Sequence, residues 1–181
     1  MRALLLAGAL LLAGAPSALA QGAAPTTITP RPADVASADA IVAALYDVIS
    51  GPAGQRRDWD RFRSLFIPEA RLIVVRTRPD STGSLLPRVM SPEQYITVAG
   101  AQLERMGFFE REIAQVSERF GGVTHRFSTY DSKRTAADAQ PFARGINSIQ
   151  LLDDGRRWWV VTIYWDSERP NNPIPAKYVP R

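Results

Sequence analysis

The sequence predicts an α+β domain whose helices cover one face of a largely antiparallel sheet. Three observations carry that expectation: apolar residues at helical period in the N-terminal half, β-rich runs in the C-terminal half, and an Asp154-Gly155 pair between the last two runs. Gly tolerates the positive φ of tight turns, so the pair closes a long hairpin formed by residues 141–152 and 156–165.

Each element follows from its local pattern. Ile41, Val42, Leu45, Val48 and Ile49 make one stripe of an amphipathic helix, with Ser37 as N-cap and Gly51-Pro52 as its stop. A second short helix follows Asp58, carrying Trp59, Phe62 and Phe66 on one face before Pro68. Residues 71–77 are β-branched and read as a strand, and residues 78–87 read as a Pro/Gly/Ser loop. Ser91-Pro92-Glu93-Gln94 spells a capping box, the strongest helix start in the chain. Tyr95, Val98, Ala99, Leu103 and Met106 form that helix's apolar face, and Gly107 stops it. Residues 108–120 fit a helix period, but their place before Gly121-Gly122 and the β-rich residues 123–130 favours a hairpin arm. The expected order is helix, helix, strand, helix, then four strands.

The ends of the chain are set apart. Arg2, an apolar run from Leu4 to Ala15 and Ala18-Leu19-Ala20 form a secretory leader over residues 1–20, cleaved to expose Gln21. The apolar run is shorter than the roughly 20 residues a bilayer span needs. No membrane span is expected, and the mature protein is expected in the periplasm or the medium. Residues 21–36 read as a flexible linker, residues 37–168 as the domain, and the Pro-rich residues 169–181 as an extended tail tacked on by Ile174, Tyr178 and Val179.

Composition narrows the chemistry. With no Cys and one His, the usual zinc ligand sets are unavailable and no disulfide staples the fold. A net charge of +4, with basic residues scattered among acids, gives no nucleic-acid footprint. No P-loop, Rossmann glycine pattern or nucleophile elbow appears, so neither a metal nor a cofactor is expected.

A two-residue turn at Asp154-Gly155 sorts the hairpin into two faces. One carries Leu151, Ile149, Asn147, Trp158, Val160, Thr162, Tyr164 and Asp166, apolar near the turn and polar away from it, as a core grading into a pocket would be. His125 joins that face if its side of the preceding strand points inward, and His125 with Asp166 then forms a catalytic acid/base pair. Asn147 and Tyr164, with Tyr46 and Trp59 from the helices, complete a ligand-binding set; the competing reading of both helix aromatics is ordinary packing. The opposite face aligns Trp159, Val161, Ile163 and Trp165, with Arg144 facing Trp165. Such a row needs cover, from a second subunit in a homodimer or, if the faces are reversed, from the helices.

The order of elements, the Trp59-to-Phe66 helix running into Pro68-Glu69-Ala70-Arg71-Leu72, and the Trp-rich closing hairpin resemble the nuclear transport factor 2-like superfamily, in particular its polyketide-cyclase-like exported bacterial members. The resemblance spans about residues 37–168. It implies a cone-shaped domain, three N-terminal helices packed on a curved, mostly antiparallel sheet, with a pocket at the open end and frequent pairing through the sheet. A fold of this kind does not dictate one activity. Three readings stand: an exported small-molecule-binding protein, a cofactor-independent lyase or isomerase with His125 or Asp166 as base and Tyr164 at the oxyanion, and a homodimeric interaction module.

Overall fold

The structure, a computed structural model, describes residues 28–78 and 83–180. The leader and the first part of the linker, residues 1–27, lie outside the described residues. The rest of the expected linker is docked rather than free. Residues Pro32–Val35 form a 3-10 helix in which Asp34 and Val35 are buried, and Arg61 grips Asp34 through two hydrogen bonds of 2.7 and 2.9 Å. A bidentate guanidinium–carboxylate pair fixes orientation as well as contact, and it holds this segment on the helices.

Helix α1 spans Ala38–Ile49, with the Ser37 hydroxyl accepting from Ala40 N, and α2 spans Trp59–Ser64 under an Asp58 cap. Phe66 belongs to the next strand rather than to α2, because the chain has already turned at Leu65. Strand β1 is Phe66–Thr77 and β2 is Leu85–Met90. The second of these takes the last three residues of the expected loop, and its residues pair antiparallel from Leu72↔Met90 to Thr77↔Leu85. Helix α3, Pro92–Met106, carries the full capping box expected at Ser91 and Gln94 and ends at Gly107 with φ of 68°. Four strands complete the sheet: β3 Phe109–Phe120, β4 Val123–Lys133, β5 Ala143–Asp153 and β6 Trp158–Ser167.

The six strands lie in the order β2-β1-β6-β5-β4-β3, with β1 parallel to β6 and every other neighbour antiparallel. This is a mixed sheet. Its helices are not all N-terminal, since α3 is inserted after β2. Ile41, Val42, Leu45, Phe62, Leu65, Ile149, Leu151 and Val160 form the centre of a core between helices and sheet, each at most 4% exposed. Among the described residues no helix is long and apolar enough to cross a membrane.

Two β-bulges decide which side chains reach that core. In β5–β6, Leu151 faces Val160 but Gln150 faces Thr162, leaving Val161 as an extra residue. In β3–β4, Ala114 faces Thr129 but Glu112 faces Tyr130, leaving Ile113 extra. An extra residue reverses the alternation beyond it, so the face exposed on one side of a bulge is buried on the other.

The tail is partly extended. Arg169 and Asn172 bridge, Ala176–Tyr178 forms a 3-10 turn, and the Tyr178 carbonyl accepts from Thr129 Oγ1 at 2.6 Å while its ring packs on Phe127. Tyr178 thus tacks the tail to the sheet face away from the helices.

Candidate active site

A cavity of about 300 Å³ lies between α1, α3 and the helix-facing side of the sheet. Leu45, Ile49, Phe62, Leu72, Leu103, Ile163 and Trp165 make it apolar, and the exposed residues Gln102 and Phe142 stand at its rim. Its polar groups are few: Glu110, Asn147, Arg134 and the phenols of Tyr46, Tyr95 and Tyr130.

Glu110 is brought there by local structure. Gly107 turns the chain out of α3, and Ser50 at the end of α1 holds the start of β3, accepting from Glu110 N at 3.0 Å while donating to the Tyr46 carbonyl at 2.7 Å. Buried Arg57 ties the same corner together, donating to the carbonyls of Ile49, Gly51 and Leu103. Across the ladder Glu110 faces Ser132, whose hydroxyl donates to Oε2 at 2.7 Å. Among the described residues no cation pairs with this carboxyl. Although the residue as a whole retains some exposure, its carboxyl is enclosed, and that desolvation raises its pKa from 4.5 to about 7, with donation from Ser132 and Asn147 pulling partly the other way.

The phenols differ in how they are used. Tyr46 shares a 2.7 Å hydrogen bond with Ser128 and accepts from Asn147 Nδ2 at 2.9 Å. Tyr130 meets Ser167 at 3.3 Å and is packed so closely beneath Gly145 that a Cβ on that glycine would lie 2.4 Å from the Tyr130 hydroxyl; burial pushes its pKa up to about 12. Tyr95 lies over Phe62 with ring centroids 5.5 Å apart, and its hydroxyl has no hydrogen-bond partner among the described residues. Burial raises the Tyr95 pKa as well, so at neutral pH it keeps its proton.

Of the sequence-derived site residues, the structure unites Tyr46 and Asn147 at the cavity wall and separates the others from them. His125 faces Gln150 across the ladder, is exposed, and meets Ser148 at 3.2 Å on the far face of the sheet. Tyr164 and Asp166 lie beyond the Val161 bulge and share that far face; Tyr164 is 45% exposed, and Asp166 is held by Arg169 and Asn172 of the tail. The expected convergence of His125, Asp166 and Tyr164 with Asn147 therefore does not occur. Trp59 misses the cavity too: its indole donates to Glu104 at 3.0 Å, and its ring presses on Gly100 of α3.

The expected interface row also dissolves at the bulge. Ile163 is core and Trp165 lines the cavity opposite Asn147. Trp159 instead braces the hairpin turn, donating to Asp154 at 2.7 Å beneath the Arg157 guanidinium, while Val161 is the bulged residue. Arg144 pairs with Glu168 at 3.6 Å instead of stacking on Trp165.

Glu110 and Tyr95 are the residues that sequence reasoning passes over. In sequence Glu110 looks like half of an alternating surface charge pair with Arg111, and Tyr95 like one more apolar position of α3. The available signal is the carboxylate pair Glu110 and Glu112 immediately after a helix-stopping glycine, two residues apart and so on one face of a strand.

The architecture has counterparts of known structure. A Caulobacter vibrioides protein with a cystatin-like fold is 13% identical, with 74% of this chain and 88% of that chain covered at a TM-score of 0.52. A protein of unknown function with a cystatin-like fold from Nostoc punctiforme is 11% identical, covering 74% and 89% at 0.51. The crystal structure of LinA is 10% identical, covering 77% and 88% at 0.50. No protein-family model and no curated protein matches the chain. At such identities the likeness defines the fold alone: this chain has a cystatin-like α+β fold.

Proposed function

We propose that this protein, exported under its N-terminal leader, takes a small and mostly apolar carbonyl compound into the cavity and moves a proton on it, as a lyase or isomerase that works with its own side chains. The observation that carries this reading is the Glu110 carboxyl: unpaired with any cation among the described residues, facing an apolar cavity, and poised near pH 7. A base with a pKa close to ambient pH combines a useful ionised fraction with real proton affinity. Glu110 removes a proton from the carbon beside the carbonyl, breaking that C–H bond as the C–C double bond forms. The charge moves to the carbonyl oxygen, where the unpartnered Tyr95 hydroxyl donates to it. Returning the proton to another carbon completes an isomerisation; loss of a leaving group from the neighbouring carbon completes an elimination. The apolar walls contributed by Leu45, Phe62, Ile163 and Trp165 support a hydrocarbon body for the ligand.

The test needs no knowledge of the natural substrate. Cyclohexanone, indanone and tetralone, incubated with the protein in D2O, should lose their α-protons faster than buffer allows, followed by proton NMR. Glu110→Gln should remove the acceleration, by roughly 10²- to 10⁴-fold for a lost general base. If these ketones bind the cavity and exchange no faster than in buffer, the pocket is a binding site only and the catalytic reading is wrong.

A further inference from the structure

A chain of hydrogen bonds leads from the surface to the cavity wall, crossing four elements. Arg126, its side chain 7% exposed, grips Glu112 with two hydrogen bonds and Asp39 with a third. The Glu112 carboxylate accepts from Ser128, the Ser128 hydroxyl meets Tyr46 at 2.7 Å, and Tyr46 meets Asn147 Nδ2 at 2.9 Å. Ser128 is fully buried, and Tyr46 and Asn147 nearly so.

The chemistry of the end group fixes the direction of the whole chain. Glu112, held by a guanidinium, is ionised and can only accept. Ser128 has one proton and gives it to Glu112, so Tyr46 donates to Ser128, and the Tyr46 oxygen is left to accept from Asn147. This has two consequences. Tyr46 turns no proton toward the cavity, and the Asn147 amide is held with its nitrogen toward Tyr46 and Glu110.

We infer that Glu112 is a positioning residue for the cavity, acting through Ser128 and Tyr46 to keep an N–H of Asn147 turned toward the Glu110 carboxyl. This rests on the reading of Glu110 as the base, and it adds what sets that base. With the chain cut, Tyr46 is free to donate to a reversed Asn147 amide, whose oxygen then faces Glu110 and favours its protonated form. Glu110 also faces Tyr95 from α3, Tyr130 and Asp131 from β4, and Arg134 from the loop after β4, and none of these depends on Ser128.

The experiment is a ¹³C NMR titration of carboxyl-labelled glutamates in the full mature chain, the Glu110 signal being assigned by its loss in Glu110→Gln. Ser128→Ala and, separately, Ser128→Val should raise the proton affinity of Glu110 by threefold or more, and Ser128→Thr, which keeps the hydroxyl, should restore it. Folded variants whose Glu110 midpoint stays within twofold of wild type overturn the inference. Should neither variant fold, wild type decides: the Asn147 side-chain amide protons should shift at the Glu110 midpoint, and amide protons indifferent to it overturn the inference equally. A wild-type midpoint in the ordinary carboxylate range defeats Glu110 as base, while the difference between wild type and variants still decides the role of Glu112.

Discussion

Each long hairpin has a half near its turn and a half near the cavity, and the two halves obey opposite alternations. Near the turn of β5–β6, Trp158 and Val160 point into the core and Trp159 points away; past Val161, Ile163 and Trp165 point in and Tyr164 and Asp166 point out. In β3–β4 the exchange happens at Ile113, and it is what turns Glu110 and Glu112 toward the helices. Bulges re-aim side chains next to functional sites. Here the bulge in β3 turns the Glu110 carboxyl into the cavity, where it joins the Asn147 amide that the regularly alternating β5 presents.

The severest way to break that contrast is to add one residue beyond the bulge. An alanine inserted between Thr162 and Ile163 returns the cavity-end positions of β6 to the alternation of the turn-end half, which drives Tyr164 and Asp166 inward and expels Ile163 and Trp165. Unpaired burial of a carboxylate together with loss of two core contacts costs several kcal/mol, a large part of the roughly 5 to 15 kcal/mol that stabilises a domain. The insertion should abolish cooperative unfolding in a denaturant titration. A cooperative transition near the wild-type midpoint would show that the sheet has another register within reach.

Next in size is the pH dependence created by Glu110. Its pKa rises from 4.5 to about 7 on folding, so the stability it contributes is fully present below pH 4.5 and is lost as pH rises through about 7. At about 1.4 kcal/mol for each tenfold change in proton affinity, the loss approaches ~3 kcal/mol. Glu110→Gln should flatten this part of the curve, leaving the variant more stable than wild type at pH 8 and close to it at pH 4. Parallel curves for the two proteins would mean that the carboxyl is solvated.

The positions of the bulges explain what the sequence could and could not reveal. Caps, turn residues and periodicity are local, so α1, α3, the β3 arm and the existence of the closing hairpin were legible, down to the capping box at Ser91, but the hairpin pairs Asp153 with Trp158 across a four-residue turn instead of the expected two-residue turn at Asp154-Gly155. Strand β2 was hidden because Pro87 sits inside it; as an edge strand it tolerates a residue that cannot donate to the ladder. The site was hidden for a different reason. Whether Val161 and Ile113 sit in the ladder or bulge out of it is settled by packing against helices far away in sequence, and each choice exchanges the faces beyond it. At His125 composition misleads: Val123 and Phe127 beside it look like an inward side, while the side that does face the helices carries Arg126, Ser128 and Ser132. That side is polar because it hosts the chain from Glu112 to Asn147.

The two halves of β6 can be compared directly with one substitution in each. Trp165→Ala removes a ring from the cavity wall and its edge contact with Tyr95, 6.5 Å between centroids, and should cost about 3 kcal/mol. Trp159→Ala removes a partly exposed indole whose contacts are the Asp154 carboxylate and the Arg157 guanidinium at the turn, and about 1 kcal/mol is expected. Thermal unfolding of the pair should rank them in that order. Equal losses would place both tryptophans in comparable surroundings, against the exchange of faces at Val161.

The smallest effect is expected at the residue whose chemistry looks most promising in the sequence. His125 is the only histidine of the chain, yet on its exposed face it meets the Ser148 hydroxyl at 3.2 Å and the edge of Phe127, with ring centroids 5.9 Å apart. A sheet lies between it and Glu110. His125→Gln keeps a group able to bond to Ser148, so stability should change by no more than about 0.5 kcal/mol, as at ordinary surface positions. Ketone α-proton exchange should be unaltered in the same variant, including its dependence on pH between 6 and 8. A tenfold loss of exchange without loss of stability would bring the chemistry to the outer face, where Tyr164 and Asp166 stand, and would move the site away from Glu110 altogether.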